Sequence, residues 1–265
     1  MITNLLPDQM PALGGNPHLE AIEVPMDLVH ILAFDTRKPA LRDRRVRQAL
    51  VHAVDTGLIS RTLWGESAQR MPALQIAAFG KFYHPEHQGL TYDPGRARRL
   101  LAEAGWQKQE IVIRVPGGYY VNMLSAAQIV QEMWLAVGVP SRLEVRENIS
   151  TLTAPGMDVF PTSVSFRFAD PLGGGLMLNL SRRYSLQMQG FWQPVRFNEI
   201  ADSLALATDE DERQRLWLTL LDEFDAEAPA LILYPVQEVF AKRRNIRFSH
   251  YPLYYMDFRP GNFGY

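Results

Sequence analysis

Cysteine is absent from the 265-residue sequence, which excludes disulfide bonds, thiolate nucleophiles and cysteine-based metal sites. A large excess of either charge is missing as well. The sequence holds 27 lysines and arginines against 29 aspartates and glutamates, a formal net charge of −2. This balance argues against nucleic acid or an anionic membrane surface as a partner bound through general electrostatic attraction.

Long apolar runs are also missing. No stretch reaches the roughly 18 consecutive apolar residues that a membrane-spanning helix needs. The first twenty residues, MITNLLPDQMPALGGNPHLE, lack the basic segment and apolar run of a secretory signal peptide. We therefore expect neither a signal peptide nor a membrane span in this chain. Its 47% hydrophobic content is enough for one large core or two modest ones.

The sequence motifs of several enzyme classes do not occur. There is no GxSxG elbow, no P-loop and no HExxH zinc motif. The glycine-rich PLGGGLMLN (171–179) lacks the spacing of a dinucleotide-binding fingerprint and indicates a flexible loop. In HPEH (84–87) two histidines stand without a third ligand, which favours a solvated loop over a metal site. We predict a protein that is not an enzyme and has no cofactor or metal.

Helix signals are clear at several places. In DRRVRQALVHAV (43–54) apolar residues recur at three- and four-residue spacing, which predicts a helix with one packed face. A second helix follows, capped by Asp55 or Thr56 and ended by Gly65. In YDPGRARRLLAEAGW (92–106) an aspartate cap and a proline open a third helix. The acidic run DEDERQ starts a later one, where negative charge meets the helix dipole. The outward positions of the first helix are assigned to Arg44, Arg45 and Arg47.

Strand and helix patterns alternate over the rest of the chain. A strand, a helix and a strand predict a β-α-β unit with parallel pairing. The segment LEAIEVPMDLVHILAF (19–34) predicts two short strands broken near Pro25, because proline does not fit a central ladder. The pattern indicates an α/β fold. The β-α-β unit covers 111–115, 121–137 and 142–147; further strands cover 157–166 and 230–241, and further helices cover 197–207 and 209–226.

Three stretches resemble one known family when they are read in order. They are LAFDTRKPALRDRRVRQALVHAVDTGLI (32–59), YDPGRARRLLAEAGW (92–106) and AAQIVQEMWLAVGVPSRLEV (126–145). They resemble the family 5 extracytoplasmic solute-binding proteins, the receptors of ABC importers for dipeptides, oligopeptides, nickel chelates and opines. The resemblance continues through GMDVFPTSVSF and APALILYPVQEVFAKRRNIRF. It implies a type II periplasmic-binding-protein lobe, with a mixed sheet flanked by helices.

The resemblance also implies a division of the chain. Residues 1–34 resemble a remnant of the first lobe and its crossing, 35–235 the second ligand-binding lobe, and 236–265 a segment returning to the first lobe. The chain thus resembles the carboxyl-terminal portion of a longer receptor. The implied partners are a small solute, the missing amino-terminal lobe and a membrane permease, with homo-oligomers forming through exposed edges. The implied location is periplasmic or extracytoplasmic.

A second function remains open at this point. The same fold is sometimes attached to a DNA-binding domain, as the cytoplasmic ligand-sensing module of a transcription regulator. No helix-turn-helix is visible in this sequence. The main hypothesis is capture of a peptide-like or anionic, opine-like solute for import.

The resemblance suggests where a ligand would bind. Peptide-binding relatives use an aspartate in a WGADYPDP-like motif to hold the peptide ammonium. Aligned without gaps on GMDVFPTSVSFRFADP, that position holds Arg167, with Phe166 beside it and Asp170 in the DP pair. An arginine binds a carboxylate or phosphate through two parallel hydrogen bonds. An anionic solute is therefore predicted; the alternative is an ordinary strand-end arginine paired with a neighbouring acid.

Other candidate ligand contacts lie in two loops. Tyr119, Tyr120 and Asn122 occupy a turn before a helix that faces the cleft in the family. Tyrosine rings offer contact area at little entropic cost, and an asparagine amide can donate or accept. The alternative is that at least one of the tyrosines packs into the core. Gln75 and Phe79, in the long loop after the second helix, are weaker candidates.

Overall fold

The computed structural model describes residues 1–65, 68, 70–181, 190–192, 194–252 and 256–264. Within these residues the chain alternates helices and strands, as the sequence predicts. Among them no helix combines the length and the apolar character needed to cross a membrane. The helices are α1 (Met10–Gly14), α2 (Pro39–Arg42), α3 (Arg44–His52), α4 (Thr56–Trp64), α5 (Pro94–Glu103), α6 (Met123–Ala136), α7 (Val195–Leu206) and α8 (Glu210–Glu227).

A six-stranded mixed sheet organises the molecule, in the order β1-β6-β2-β5-β3-β4. The predicted β-α-β unit is confirmed, since β3 pairs parallel with β4 and helix α6 connects them. The α/β fold class is confirmed. The strands are β1 (Ile2–Leu5), β2 (Leu19–Phe34), β3 (Ile111–Pro116), β4 (Ser141–Arg146), β5 (Val159–Ser165) and β6 (Ala230–Arg243), with a separate pair formed by β7 (Arg247–Phe248) and β8 (Phe263–Gly264).

The sheet buries apolar side chains on both faces. Successive residues of a strand point to opposite faces, so Leu32 and Phe34 of β2 enter one core and Ile31 and Ala33 enter the other. The first core is completed by helices α3 to α6 and the second by α7 and α8. Strands covered on both sides are expected to be almost continuously apolar, and residues 28–34 are apolar except for His30.

Strand β2 corrects the prediction of two short strands. It runs without a break for 16 residues, because the 14-residue β6 pairs with it at both ends. The irregularity near Pro25 is a bulge: Pro25 lies opposite Gln237 and Val29 opposite Pro235. Three residues of β2 therefore face one residue of β6. A bulge accommodates a residue that cannot donate to the ladder, which is why proline interrupts the pairing without ending the strand.

Aspartate caps begin the helices where the sequence places them. The side chain of Asp55 accepts from the backbone N–H of Leu58, and that of Asp93 accepts from Arg96. Asp209 caps α8 in the same way, so the acidic run is helix punctuation as predicted. Each cap satisfies a backbone donor that the first turn of a helix leaves unpaired.

Arg47 is the exception on α3, because it does not point outward as predicted. Its guanidinium is buried, with 2% of the residue exposed. It donates to the carbonyl oxygens of Leu41 and Arg42, and to the carbonyl and carboxylate of Glu227 at the end of α8. A buried charge is tolerated when its hydrogen-bonding groups are paired, and here the partners are the ends of two helices.

The long segment between α4 and α5 is more ordered than the sequence indicates. A 3₁₀ turn at Ala77–Phe82 buries two phenylalanines, and the His87 side chain is only 10% exposed. Its Nε2 lies 2.8 Å from the Asp225 carboxylate of α8, and its Nδ1 lies 3.6 Å from that of Asp222. The Asp225 hydrogen bond raises the pKa of His87. Burial raises the pKa of Asp225. The described residues contain no group of three histidine or acidic ligands suited to a metal.

Candidate ligand-binding wall

The candidate site lies where β3 and β5 end. Both strands run in the same direction, so the loops that follow them, residues 117–122 and 166–170, leave the sheet at one edge. Ligands of α/β proteins typically bind at the carboxyl ends of strands. His30 of β2 contacts both regions: its ring lies 4.7 Å from that of Tyr120, in the loop after β3, and its Nδ1 lies 3.0 Å from the hydroxyl of Ser163 in β5.

The tyrosine pair forms the aromatic part of this edge. Tyr119 is 61% exposed, whereas Tyr120 is half-buried, and their rings meet edge to face at 4.7 Å. Burial raises the pKa of Tyr120, and a hydrogen bond with Ser163 partly opposes this effect. Tyr119 is therefore the ring available to a ligand, and the half-buried Tyr120 packs against it on the protein side.

Asn122 fastens the turn to the rest of the protein. Its backbone is left-handed, with a φ of 61°, a conformation that asparagine adopts more readily than most residues. Its side-chain amide donates to the carbonyl oxygen of Leu63 in α4 at 3.0 Å. Because its amide nitrogen is used for this contact, Asn122 orients the tyrosine turn, and we do not include it among the proposed ligand contacts.

Arg167 continues a polar row along β5. Ser163 and Ser165 alternate with apolar residues, so their side chains share one side of β5, and Arg167 follows two residues after Ser165. The Nε of Arg167 lies 3.5 Å from the Ser165 hydroxyl, and its backbone N–H donates to Gly173. The side chain is exposed. Within the described residues it forms no salt bridge, so the alternative of an arginine paired with a neighbouring acid finds no support there.

Three predicted contacts are buried in packing instead. Phe166 and Phe79 meet edge to face at 6.0 Å in the second core. The Gln75 amide donates to the carbonyl of His84 and accepts from its N–H, which closes the long segment on itself. These side chains present no free face or amide to a ligand. They stabilise the loop behind Arg167, and we leave them out of the wall.

Asp170 is occupied as well. Its carboxylate accepts from the backbone N–H of Leu172 at 2.8 Å and from Arg213 of α8 at 2.9 and 3.0 Å. The Arg213 guanidinium in turn lies over the Phe82 ring, 5.1 Å from its centroid. Asp170 therefore shapes the loop and its charge is neutralised by Arg213, so it is not a free anionic contact.

The glycine-rich segment after Asp170 is tightly packed, contrary to the predicted flexible loop. A Cβ added at Gly175 would lie 1.8 Å from the Val164 Cγ1, and one at Gly174 would lie 2.6 Å from the Phe79 Cζ. Glycine is required here because the chain passes directly against β5 and the long segment. This close approach holds the Arg167 loop from behind.

Sequence reasoning missed two residues of this region. His30 is the one polar residue in an apolar run, a signal that was available, and Arg213 became visible only through its contact with Asp170. Phe168, beside Arg167, also has an exposed ring. The described edge thus combines one free arginine, serine hydroxyls and exposed aromatic rings.

Comparison with known proteins places the chain in a family. A family model described as bacterial extracellular solute-binding proteins, family 5 Middle, matches residues 1–185. The chain belongs to this family. The predicted resemblance is therefore confirmed over most of the described fold, including β2, β3, β5 and the Arg167 loop.

Individual relatives agree with this assignment. The dipeptide-binding protein of Escherichia coli (strain K12) is 29% identical over 148 residues, which are 53% of this chain and 27% of that protein. A dipeptide-binding protein from Pseudoalteromonas sp. SM9913, solved with Met-Leu, superimposes with a TM-score of 0.82 at 19% identity, covering 97% of this chain and 52% of the other. AgaA from A. tumefacien R10, solved with agropinic acid, gives 0.79 at 15%, covering 92% and 50%.

These structural matches confirm the fold of a periplasmic binding protein. The chain spans about half of each of the two solved structures and about a quarter of the Escherichia coli relative.

Proposed function

We propose that this chain forms one wall of the solute-binding site of an ABC-importer receptor, and that it binds its solute without transforming it. The observation that carries the proposal is Arg167, an exposed guanidinium without a salt-bridge partner in the described residues, at the carboxyl edge of the sheet. Family membership supports the transport role, because the relatives are binding proteins for dipeptides and other small solutes.

The chemistry of the edge favours a ligand with a carboxylate. A guanidinium matches a carboxylate with two parallel hydrogen bonds, and Tyr119 adds a flat apolar surface. The loops 117–122 and 166–170 contain one acidic residue, Asp170, whose charge is already paired with Arg213. These loops therefore offer no free anion for a ligand ammonium, and a peptide-like or opine-like solute would bind here through its acidic end.

The proposed partners follow from the length of the relatives. A solute enclosed by such proteins needs a second wall, and we propose that an amino-terminal lobe supplies it, with β2 and β6 crossing between the two. On this view residues 35–235 form the second lobe and the segments 1–34 and 236–265 belong to the first. A membrane permease and an extracytoplasmic location complete the proposal. The alternative of a regulator's sensing module finds no support in the comparisons.

The test is substitution of Arg167. NMR chemical-shift titrations with Met-Leu and with agropinic acid measure affinities even when one wall binds weakly. Arg167→Ala should weaken whichever acidic probe binds by roughly 1.5 to 3 kcal/mol, the usual contribution of a hydrogen bond to a charged group. Arg196→Ala on α7 is the matched control, since Arg196 is an exposed arginine paired with Glu223 away from this edge.

Reversing the charge sharpens the same test. Arg167→Asp should weaken a carboxylate probe further, because two like charges then meet at the edge. It should also improve binding of the methyl ester of Met-Leu, which keeps its ammonium and has no carboxylate. Equal affinity of the wild type, Arg167→Ala and Arg167→Asp for every probe bound would remove Arg167 from the site.

A further inference from the structure

His30 is a polar residue in the centre of the sheet, directly beneath the proposed wall. It is 1% exposed and stands alone among apolar neighbours in β2. Across the sheet it pairs with Ser163 of β5 on one side and with Tyr234 of β6 on the other. The three side chains form a row through neighbouring strands, and Tyr120 covers it.

The contacts of the imidazole give this row a polar connection to the wall. Nδ1 lies 3.0 Å from the Ser163 hydroxyl, and either tautomer can make this hydrogen bond because a hydroxyl both donates and accepts. Ser163 also hydrogen-bonds with Tyr120, on which Tyr119 rests edge to face. The connection thus runs from the sheet centre to the exposed ring in three contacts.

An apolar residue would fill this position at lower cost. Burying a polar group without a compensating hydrogen bond is unfavourable, and leucine or phenylalanine would serve packing alone. Burial lowers the pKa of His30 to about 3, so the ring is neutral at ordinary pH and acts through hydrogen bonding and shape. Its partners lie on the side of the sheet that carries Ser165, two residues before Arg167, which points to a role in the wall.

We propose that His30 is a positioning residue of the ligand wall: through Ser163 it holds Tyr120, and thereby Tyr119, in the orientation that a ligand on Arg167 meets. This inference rests on the proposed function for the ligand. The residues that His30 positions are uncharged. They therefore suit a ligand whose carboxylate is flanked by uncharged hydrogen-bonding groups such as amides. An ester or a thioether has no donor and would not replace the amide.

The first experiment needs no ligand. NMR of protein labelled at the tyrosine rings follows the Tyr120 signal, which its loss in Tyr120→Phe identifies. His30→Leu and Ser163→Ala should each shift this signal, because the ring loses its support. Ser163→Ala should also move the pKa of Tyr120 further above its ordinary value, because it removes the hydrogen bond that opposes the effect of burial. His30→Asn keeps a polar group near the Nδ1 position and should preserve most of the wild-type signal.

A matched control separates positioning from general destabilisation. His52 is also buried and bonds through Nδ1, to the carbonyl of Thr91, but it lies away from the wall. His52→Leu should lower thermal stability and leave the Tyr120 signal unchanged. If His30→Leu does not fold, Ser163→Ala still decides the matter, because it breaks the same connection while retaining both ends.

Binding measurements complete the test with Met-Leu and agropinic acid as probes. His30→Leu should weaken the probe that binds by roughly fivefold or more, the loss of one ordinary hydrogen bond, and His30→Asn should restore much of the affinity. An unchanged Tyr120 signal in both His30→Leu and Ser163→Ala would overturn the inference. Failure of the wild type to bind either probe would refute the proposed function instead. The Tyr120 signal would still test the positioning role of His30.

Discussion

At the scale of single residues, three buried polar side chains connect distant parts of the chain. Arg47 joins α3 to the end of α8, and His30 joins β2 to β5. Arg114 of β3 donates to the carbonyl oxygens of Ala154 and Pro155 and to the Glu144 carboxylate, which shapes the segment before β5. Each side chain is retained inside because partners compensate for its lost hydration.

The buried imidazole of His30 predicts a dependence of stability on pH. Its pKa is about 3 in the folded protein because of burial, and it returns to the ordinary value of 6.5 on unfolding. Between these two pKa values the unfolded chain binds a proton at His30 and the folded chain does not. The stabilisation is therefore fully present above the ordinary pKa of 6.5 and is lost as the pH falls towards the folded-state pKa. The contribution of His30 to this loss is about 2 kcal/mol at about pH 5.

Urea unfolding of the wild type and of His30→Leu at about pH 7 and about pH 5 measures this effect. The variant should lose less stability on acidification, by about that amount. His52→Leu provides the comparison, because burial also lowers the pKa of His52. Identical acid losses in the wild type and in His30→Leu would contradict the assignment of a neutral buried His30.

At the scale of elements, the Arg167 loop is held from behind by α8 and by the long segment after α4. Arg213 of α8 donates a hydrogen bond to the Asp170 carboxylate, and the Phe79 ring contacts those of Phe166 and Trp217. His87 ties the same segment to the other end of α8. The loop that bears the candidate ligand residue is therefore supported by rigid elements, which a preorganised binding site requires.

The close contact between Gly175 and β5 predicts the effect of adding one methyl group. Gly175 has ordinary helical φ and ψ, so alanine fits its backbone, but the new Cβ would lie 1.8 Å from the Val164 Cγ1. Gly175→Ala should therefore cost about 1 to 3 kcal/mol of unfolding free energy, as overpacking of a core usually does. Chemical denaturation measures it.

A double-substitution cycle identifies the cause of that loss. Val164→Ala removes the clashing methyl group, so Gly175→Ala should cost less in its presence, with a coupling that distant sites do not show. Gly15→Ala is the control, because nothing lies within 4 Å of its added Cβ. Equal costs of Gly175→Ala in both backgrounds would show that the contact with Val164 is not the reason.

At the scale of the whole molecule, the outermost strands and the carboxyl-terminal segment leave apolar surface uncovered. Strand β1 lies at one edge of the sheet with Ile2 57% exposed, and Phe258 is exposed near β8. An unpaired strand edge with an apolar side chain is a template for pairing with another chain. In a receptor with a complete first lobe these surfaces would be covered, according to the division proposed above.

We therefore predict that the 265-residue chain self-associates weakly in solution. Sedimentation velocity over a wide concentration range should show an increase in average mass, and Ile2→Lys should reduce it because a charge at an edge strand opposes pairing. Leu135→Lys, an equally exposed apolar position on α6, is the control and should leave association unchanged. A concentration-independent monomer would refute the predicted self-association.

The sequence by itself determined the helix starts, the β-α-β unit and the family. These signals are local: an aspartate caps the N–H group two or three residues ahead, and apolar spacing defines a face within one helix. The family resemblance also pointed to Arg167 and the tyrosine turn, which the structure brings to one edge of the sheet. Whether they bind a solute remains the prediction that the substitutions test.

Only the tertiary structure decided which polar residues are buried and which candidate side chains are free. Arg47 and Glu227 are 180 positions apart in sequence, and Asp170 and Arg213 are 43 apart. No pattern within one helix or loop reveals such a partner. The same holds for β2, whose bulge at Pro25 depends on pairing with β6 across the sheet. Burial and ion pairing depend on chain segments that meet only on folding, because the free energy of a charge is set by its surroundings in space.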